Sequence, residues 1–531
     1  MGIFNSILLS LTRKERLIVV LTLVIFIMSL FTRVVIAVKE NSQFVPVQGG
    51  SYVEGIIGQP SLINPIVSND PIDHDLSSLV YSKLGGIASG ITVSENGRSY
   101  TVNIPENLMW SDGERLTTDD IIFTVNIIQS SEINSPLSKS WQGVIVERIS
   151  ELQVKFTLPS SYVFFENNIN RLPILPSHIF SSIPSSNFKL SSYNLEPIGS
   201  GPYKFEDFKR RRDGFITEYH FTVNSNYHKE APFIKDFYFK FYESEEDLMD
   251  AFKKREIDGF GTSSFLSESS SFANSVVKEL EMPRYYAVFF NPQSTSALSN
   301  DDLRLALKSS INRDDLIREV LGNKGNTVNG PLYFEESNLL SLDEARAIIE
   351  EVKEDRTELV IEIVVPDVEF IKNTAEFIKR EWENVGVDEV SILSLSSEDF
   401  VSSVIRERNY EAVVFGNILE NPLDLFPFWH SSQRFYPGLN LSVYSEEEAD
   451  GLIEDIRQTE DESERLVKFE ELIDIINSDS PAAFLFSLPY TYIHHNKLGG
   501  LNPDDFNIFN EGLITPSDRF KKVDKWHVKR A

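Results

Sequence analysis

LDEARAIIEEVKED at residues 342–355 and, after Arg356, TELVIEIVVPD at 357–367 set the reading of this chain. The first piece predicts a helix. The second is a largely apolar strand, suited to a sheet covered on both faces. The alternation then continues, with a helix over 368–384, a strand over 389–395, a helix over 397–408 and a strand over 410–415. Helices and strands in that order argue for an α/β lobe with at least some parallel pairing.

Upstream of this unit, DDLRLALKSSINRDDLIREVLG (301–322) predicts one or two helices, with Leu303, Leu307, Ile311, Leu316, Ile317 and Leu321 on apolar faces. Before it comes PRYYAVFFN (283–291), an aromatic strand ending in the polar Asn291. EEDLMDAFKKREIDGFG (245–261) predicts an amphipathic helix and then a short strand. Between about 145 and 245 short strands dominate. VERISELQVKFTLP (146–159) alternates, and YKFEDFKRRRDGFITEYHFTVN (203–224) predicts a hairpin turning at Asp213–Gly214. Arg210, Arg211 and Arg212 beside that turn read as solvated protection of a strand edge.

Nearer the start, SYVEGII opens as a strand, residues 60–70 form a loop stiffened by Pro60 and Pro65, and DHDLSSLVYSKL (73–84) predicts a helix. SYTVNI (99–104) is a strand. After the Asp112–Gly113 turn, Thr117 or Thr118 caps a helix whose stripe is Ile121, Ile122, Val125 and Ile128. At the far end, FNEGLITPSDRFKKVDKW reads as loosely packed.

Residues 17–31, LIVVLTLVIFIMSLF, follow Arg13, Lys14, Glu15 and Arg16, and VVIAV resumes the apolar run at 34–38. Residues 17–38 are long enough to cross a bilayer core, with Arg33 snorkelling to the far interface. The basic leading side places segment 1–16 in the cytoplasm and the body outside. A cleaved signal peptide is the rival reading, although Val35 and Ala37 make a poor cleavage site. Residues 39–50 then form a tether.

The 531 residues allow three or four domain-sized units or two large lobes. With 80 Asp and Glu against 50 Lys and Arg, the net charge of -30 repels nucleic-acid phosphates, so no nucleic-acid partner is expected. There is no cysteine, which excludes disulfides, thiol nucleophiles and a cysteine-linked lipid. None of the eight histidines forms an HExxH pair, and His494–His495 would face opposite sides of a strand. Nucleophile-elbow, phosphate-loop and dinucleotide patterns are lacking too. These observations predict no catalytic residue, metal or cofactor.

The residues resemble a known family. LMWSDGERLTTDDIIFTVNII (108–128) is very like the signature of family 5 bacterial extracellular solute-binding proteins, the oligopeptide and dipeptide receptors of ABC importers. INPIVSNDPIDHDLSSLVYSKL, LPSHIF (175–180), IGSGPYKFEDF (198–208), VFFNPQ, NPLDLFPFWHSS and PAAFLFSLPYTYIHH match in family order, over roughly residues 50–500.

The resemblance implies a two-lobed α/β clamshell of the type II periplasmic-binding-protein kind with an additional subdomain, preceded here by one transmembrane helix. The first lobe would be residues 45–270 with 483–531 returning to it, and the second 271–482. It also implies a monomer on the extracytoplasmic side of the cell membrane that passes oligopeptides to an ABC permease. An oligosaccharide, a metal chelate, or a surface receptor or chaperone role uncoupled from import are the alternatives.

The expected ligand-binding residues are Asn64, Tyr285, Asn291, Glu420, Asp424 and Trp429, whereas Trp110 and Asp112 are structural members of the signature. Several peptide receptors hold the ligand amine with an aspartate four residues before the proline of the loop corresponding to 416–433. Here that position is Ile418, with Glu420 and Asp424 flanking Pro422.

Overall fold

Alternation of period two places the strand Val360–Pro366 in the middle of a sheet, because Ile361, Ile363 and Val365 enter one apolar core while Val364 enters another. The computed structural model describes residues 12–41, 45–262, 275–295, 297–331, 339–354, 358–506 and 512–529. Its six-stranded sheet runs in the order Asn326–Thr327, Ala482–Ser487, Arg284–Phe290, Ala412–Ile418, Val360–Pro366, Glu389–Leu395. Val360–Pro366 pairs in parallel with both of its neighbours, and the remaining pairs are antiparallel. The helix Glu369–Asn384 covers one face through Ile371, Ala375, Ile378 and Trp382, spaced three or four residues apart.

A seven-stranded sheet forms a second body, in the order Ser275–Leu280, Tyr490–His495, Gly259–Thr262, Ser51–Ile57, Asp236–Tyr242, Ile216–Val223, Tyr203–Arg210. A four-stranded antiparallel sheet, Gly90–Val93, Ser99–Asn103, Gln153–Thr157 and Ile145–Ser150, shares its core and constitutes the additional subdomain. The chain passes between the two large sheets at residues 281–283 and again at 488–489, whereas the expected lobe borders were 270/271 and 482/483.

Local signals explain most boundaries. Thr117 caps the helix Thr118–Gln129 in a capping box with Asp120. The region 301–322 is two helices, Asp301–Ser309 and Arg313–Val320, each started by an asparagine cap, Asn300 and Asn312. Gly214 turns its hairpin at φ +96°. Arg211 beside it pairs with Asp213 and Glu243, so this arginine is tied down as well as solvated.

Three expectations change. The predicted helix 397–408 is one α turn, Ser397–Phe400, followed by a π turn, Val401–Arg406. Arg408 takes up loose carbonyls there, donating to Val404 at 3.2 Å and Gly438 at 2.7 Å. The helix predicted over 73–84 is Pro71–Val80, stopping where Tyr81 turns extended. The tail is not loosely packed: Thr515 and Asp518 form a capping box with Pro516 in the first turn, and Arg519, Phe520, Val523 and Trp526 are buried.

Residues 1–47 form a unit of their own. Its helix Arg13–Asn41 contains one stretch, Arg13–Val34, long and apolar enough to cross a membrane, a property that signal sequences share. The proposed cytoplasmic segment 1–16 lies largely outside the described residues, as do 42–44 of the tether.

Candidate functional site

Asp73 organises the loop that opens the site. Its carboxylate accepts from Ser61 N at 2.8 Å, Leu62 N at 3.0 Å and Ser68 Oγ at 2.7 Å, pinning residues 61–68 to the helix Pro71–Val80. Asn64 is wholly buried within that loop, donating to Asn194 Oδ1 at 3.0 Å and accepting from Ile66 N at 3.1 Å. Its neighbour Pro65 lines a cavity of about 200 Å³, which adjoins a larger one of about 490 Å³. Ser78, Tyr81, Lys83, Arg171, Glu420 and Asp518 line both. The walls come from the helix 71–80 and its exit, the end of the helix Phe165–Arg171 and the returning tail. The loop 420–422 is the contribution of the other lobe, so the space is an interlobe cleft.

Of the six residues expected to touch ligand, Glu420 lines this cleft. It is exposed and makes no hydrogen bond or ion pair among the described residues. The other five have their polar groups or rings engaged inside the protein. Tyr285 is buried and its hydroxyl accepts from Asn417 Nδ2 at 3.0 Å. Asn291 closes its strand end by donating to the carbonyls of Arg408 and Tyr410 at 3.1 and 3.0 Å. Trp429 is enclosed by Phe289, Phe484 and Tyr444. Asn64 shapes its loop. Ile418 stays exposed and apolar.

Asp424, the alternative carboxylate, is occupied by an interlobe latch. Tyr162 of the first lobe donates to its Oδ2 at 2.7 Å, and Arg457 Nε lies 3.4 Å from Oδ1. The Arg457 guanidinium stacks on Tyr162 and Phe426, its carbonyl accepts from Val163 N at 2.9 Å, and Phe164 enters the second-lobe core. Lys139 adds a donor to Pro437 O at 2.9 Å.

Two groups on the cleft floor are shifted from their ordinary values. Burial works to raise the Asp518 carboxyl, but Lys83, Lys521, the Thr515 N–H and Arg171 outweigh it and hold the group well below the usual carboxylate range. Burial pushes the His74 imidazole down against the pull of Asp73, leaving this cavity-lining ring neutral at pH 7. Beneath them, Arg519 grips Asp75 through two nitrogens at 2.9 and 2.7 Å and Glu54 at 2.9 Å. Ser517, which lines both cavities, donates to Asp75 at 2.6 Å, tying the floor to this buried cluster.

Sequence reasoning missed Arg171, Lys83 and Asp518. Only Asp518 carried a signal, since Thr515-Pro516-Ser517-Asp518 is a capping-box pattern that marks an ordered tail.

Comparison with known proteins agrees with this architecture. The model of bacterial extracellular solute-binding proteins, family 5 (middle), matches residues 84–435. The oligopeptide-binding protein AppA of Bacillus subtilis is 23% identical over 486 residues, covering 83% of this chain and 87% of its own. Its structure in complex with a nonapeptide aligns at a TM-score of 0.71, with 21% identity, over 92% of this chain and 100% of that one. The ABC transporter substrate-binding protein CtaP of Listeria monocytogenes aligns at 0.80, with 23% identity, over 91% and 100%. NikZ of Campylobacter jejuni, solved with Ni(L-His), aligns at 0.71, with 19% identity, over 90% and 99%. The fold is the two-lobed one with an additional subdomain.

Proposed function

This chain belongs to the family 5 bacterial extracellular solute-binding proteins of ABC importers, and we propose that it is a receptor without catalytic activity that captures oligopeptides in the interlobe cleft for a permease. The observation that carries the reading is Glu420, an unpaired carboxylate that the second lobe presents over cavities built by the first. A peptide ammonium completes such a group with a charge-assisted hydrogen bond. Asp424 is buried and already holds Tyr162 and Arg457 in the latch. The joined cavities, at about 200 and 490 Å³, fall around the range that small ligands fill, and leave room for water beside variable side chains.

In this reading Tyr285, Asn291, Trp429 and Asn64 hold the cleft walls in shape, and Glu420 touches ligand. The helix 13–41 stays uncleaved as a single-pass anchor that keeps a monomeric receptor near its permease.

A second reading draws on His74, an imidazole that burial keeps neutral on the smaller cavity, which Arg171 also lines. Such a ring can complete a metal chelate, and NikZ was solved with one.

Native mass spectrometry of the full chain in detergent, followed by denaturing release of bound molecules, separates these readings. A ladder of peptides supports the first. Folded protein that retains no peptide after challenge with a mixed library refutes it, and a released nickel or other chelate establishes the second.

A further inference from the structure

The seven-stranded sheet has two functionally different ends. At one, Ile57 leads into the loop 58–70, whose Pro65 lines the cleft. At the other, Ser51 pairs with Asp236, Gly259 with His494, and His495 with Ser275, so residues 235, 258, 275 and 495–497 share the end at which the tether joins the body. The entering chain is fixed there, with Gly49 N donating to Phe233 O at 2.7 Å and Lys235 N to Gly50 O at 3.1 Å. The tail closes over the same place. Lys529 N donates to Lys497 O at 2.7 Å, and the His527 ring lies 6.2 Å from that of Phe233.

This end reverses the sign of a chain whose net charge is -30. From the strand Ser275–Leu280 across to Asp236–Tyr242 it is about 20 Å wide, and Lys235, Lys278, Lys497, Lys525 and Lys529 lie along it. The acidic groups nearby are already engaged: Asp258 pairs with Lys497, Glu230 lies 3.7 Å and Asp524 3.9 Å from Lys525, and Asp236 meets His220 at 3.1 Å. Lys235, Lys278 and Lys529 make no ion pair or side-chain hydrogen bond among the described residues. His494 beside them is 3% exposed; its Nδ1 faces His495 O at 2.9 Å and its Nε2 finds no partner among the described residues. Burial holds this ring below the ordinary histidine value, and Lys278 and Lys529 push it the same way, which shows that both charges bear on one spot.

We propose that this end of the first lobe is a docking surface for the anionic phospholipid headgroups of the bilayer that the chain's own helix spans. This rests on the anchor reading above and goes beyond it. The chain from Lys39 to Gln48, roughly ten residues, reaches at most about 35 Å when extended, so the anchor holds the lysines near a lipid surface at all times. Each lysine that comes within a Debye length of anionic headgroups, about 8 Å, favours the docked state by about fivefold. Docked in this way, the cleft end of the sheet points away from the bilayer, open to arriving solute.

Hydrogen exchange on the full chain in lipid nanodiscs tests this, comparing phosphatidylcholine alone with phosphatidylcholine containing phosphatidylglycerol. Residues 229–235, 495–499 and 525–529 should exchange about fivefold or more slowly in the anionic discs, with the cleft loop 61–68 unchanged, and high salt should remove the difference. The triple substitution Lys235→Gln, Lys278→Gln and Lys529→Gln should also remove it, at the melting temperature of the parent. Equal exchange in the two discs, or slowing that survives the triple substitution, overturns the docking surface and leaves the anchor intact. A chain that does not stay in the neutral discs overturns the anchor and the docking built on it. Should the triple variant fail to fold, the lipid and salt comparisons on the parent decide.

Discussion

Replacing Arg519 by methionine isolates the cluster beneath the cleft. Arg519 and Glu54 are at most 1% exposed, and Asp75 is 7% exposed. The arginine is the cation between two carboxylates, gripping Asp75 through two nitrogens and Glu54 through one. Methionine keeps much of the volume but leaves two anions buried side by side. Removing one partner of a buried ion pair costs about 3–5 kcal/mol. Here the upper part of that range is expected, because a like-charge pair remains.

The pH dependence follows from Glu54. Burial pushes its carboxyl up, opposed by Arg519 and the Tyr492 hydroxyl. A group raised on folding adds stability that is complete below its unfolded value, roughly pH 4.3, and is lost as pH rises through the folded value. Without Arg519 the rise is larger, so the variant's deficit is greatest at neutral pH and narrows on acidification. Urea unfolding at pH 7 and pH 5, followed by fluorescence of Trp526, whose ring lies 5.9 Å from that of Tyr492, measures both. A loss under about 1 kcal/mol at pH 7, or a deficit that widens at pH 5, refutes the reasoning.

Glu420→Gln is expected to weaken binding of peptides with a free amino terminus by about ten- to a hundredfold and to leave thermal stability unchanged; calorimetric titration against a free and an acetylated peptide checks this. Trp429→Ala should cost about 3–5 kcal/mol of folding stability by opening a cavity, while affinity per folded molecule is kept; a matching loss of affinity would return Trp429 to the ligand surface. Tyr162→Phe removes the hydroxyl that reaches Asp424, at about 1–3 kcal/mol. Hydrogen exchange should then rise together in residues 159–166 and 420–430, and unchanged protection there would show that the latch does not hold the lobes.

The two halves of the chain differed in what could be read from residues alone. In 342–418 every β-strand of the α/β unit is legible, because each is short and bounded by helical patterns, and Val360–Pro366 pairs with both of the strands that follow it in sequence, Glu389–Leu395 and Ala412–Ile418. The capped helix after Thr117 and the hairpin at Gly214 are legible for the same reason: cap and turn act over three or four residues. The π turn at 401–406 was not, since it depends on Arg408 meeting carbonyls at 434 and 438.

By itself, then, the sequence determined the α/β class, the family resemblance, the apolar amino-terminal segment and the absence of thiol chemistry. Tertiary structure alone decided which polar residues face the cleft. Asn64, Asn291 and Asp424 each carry groups fit for a ligand, and each is claimed by a partner brought from elsewhere in the chain: Asn194, Arg408 and Tyr410, and Tyr162 respectively. Glu420 keeps its carboxylate without a hydrogen bond or ion pair among the described residues. Pairing of this kind depends on contacts between distant segments, and residue type and local spacing do not encode it.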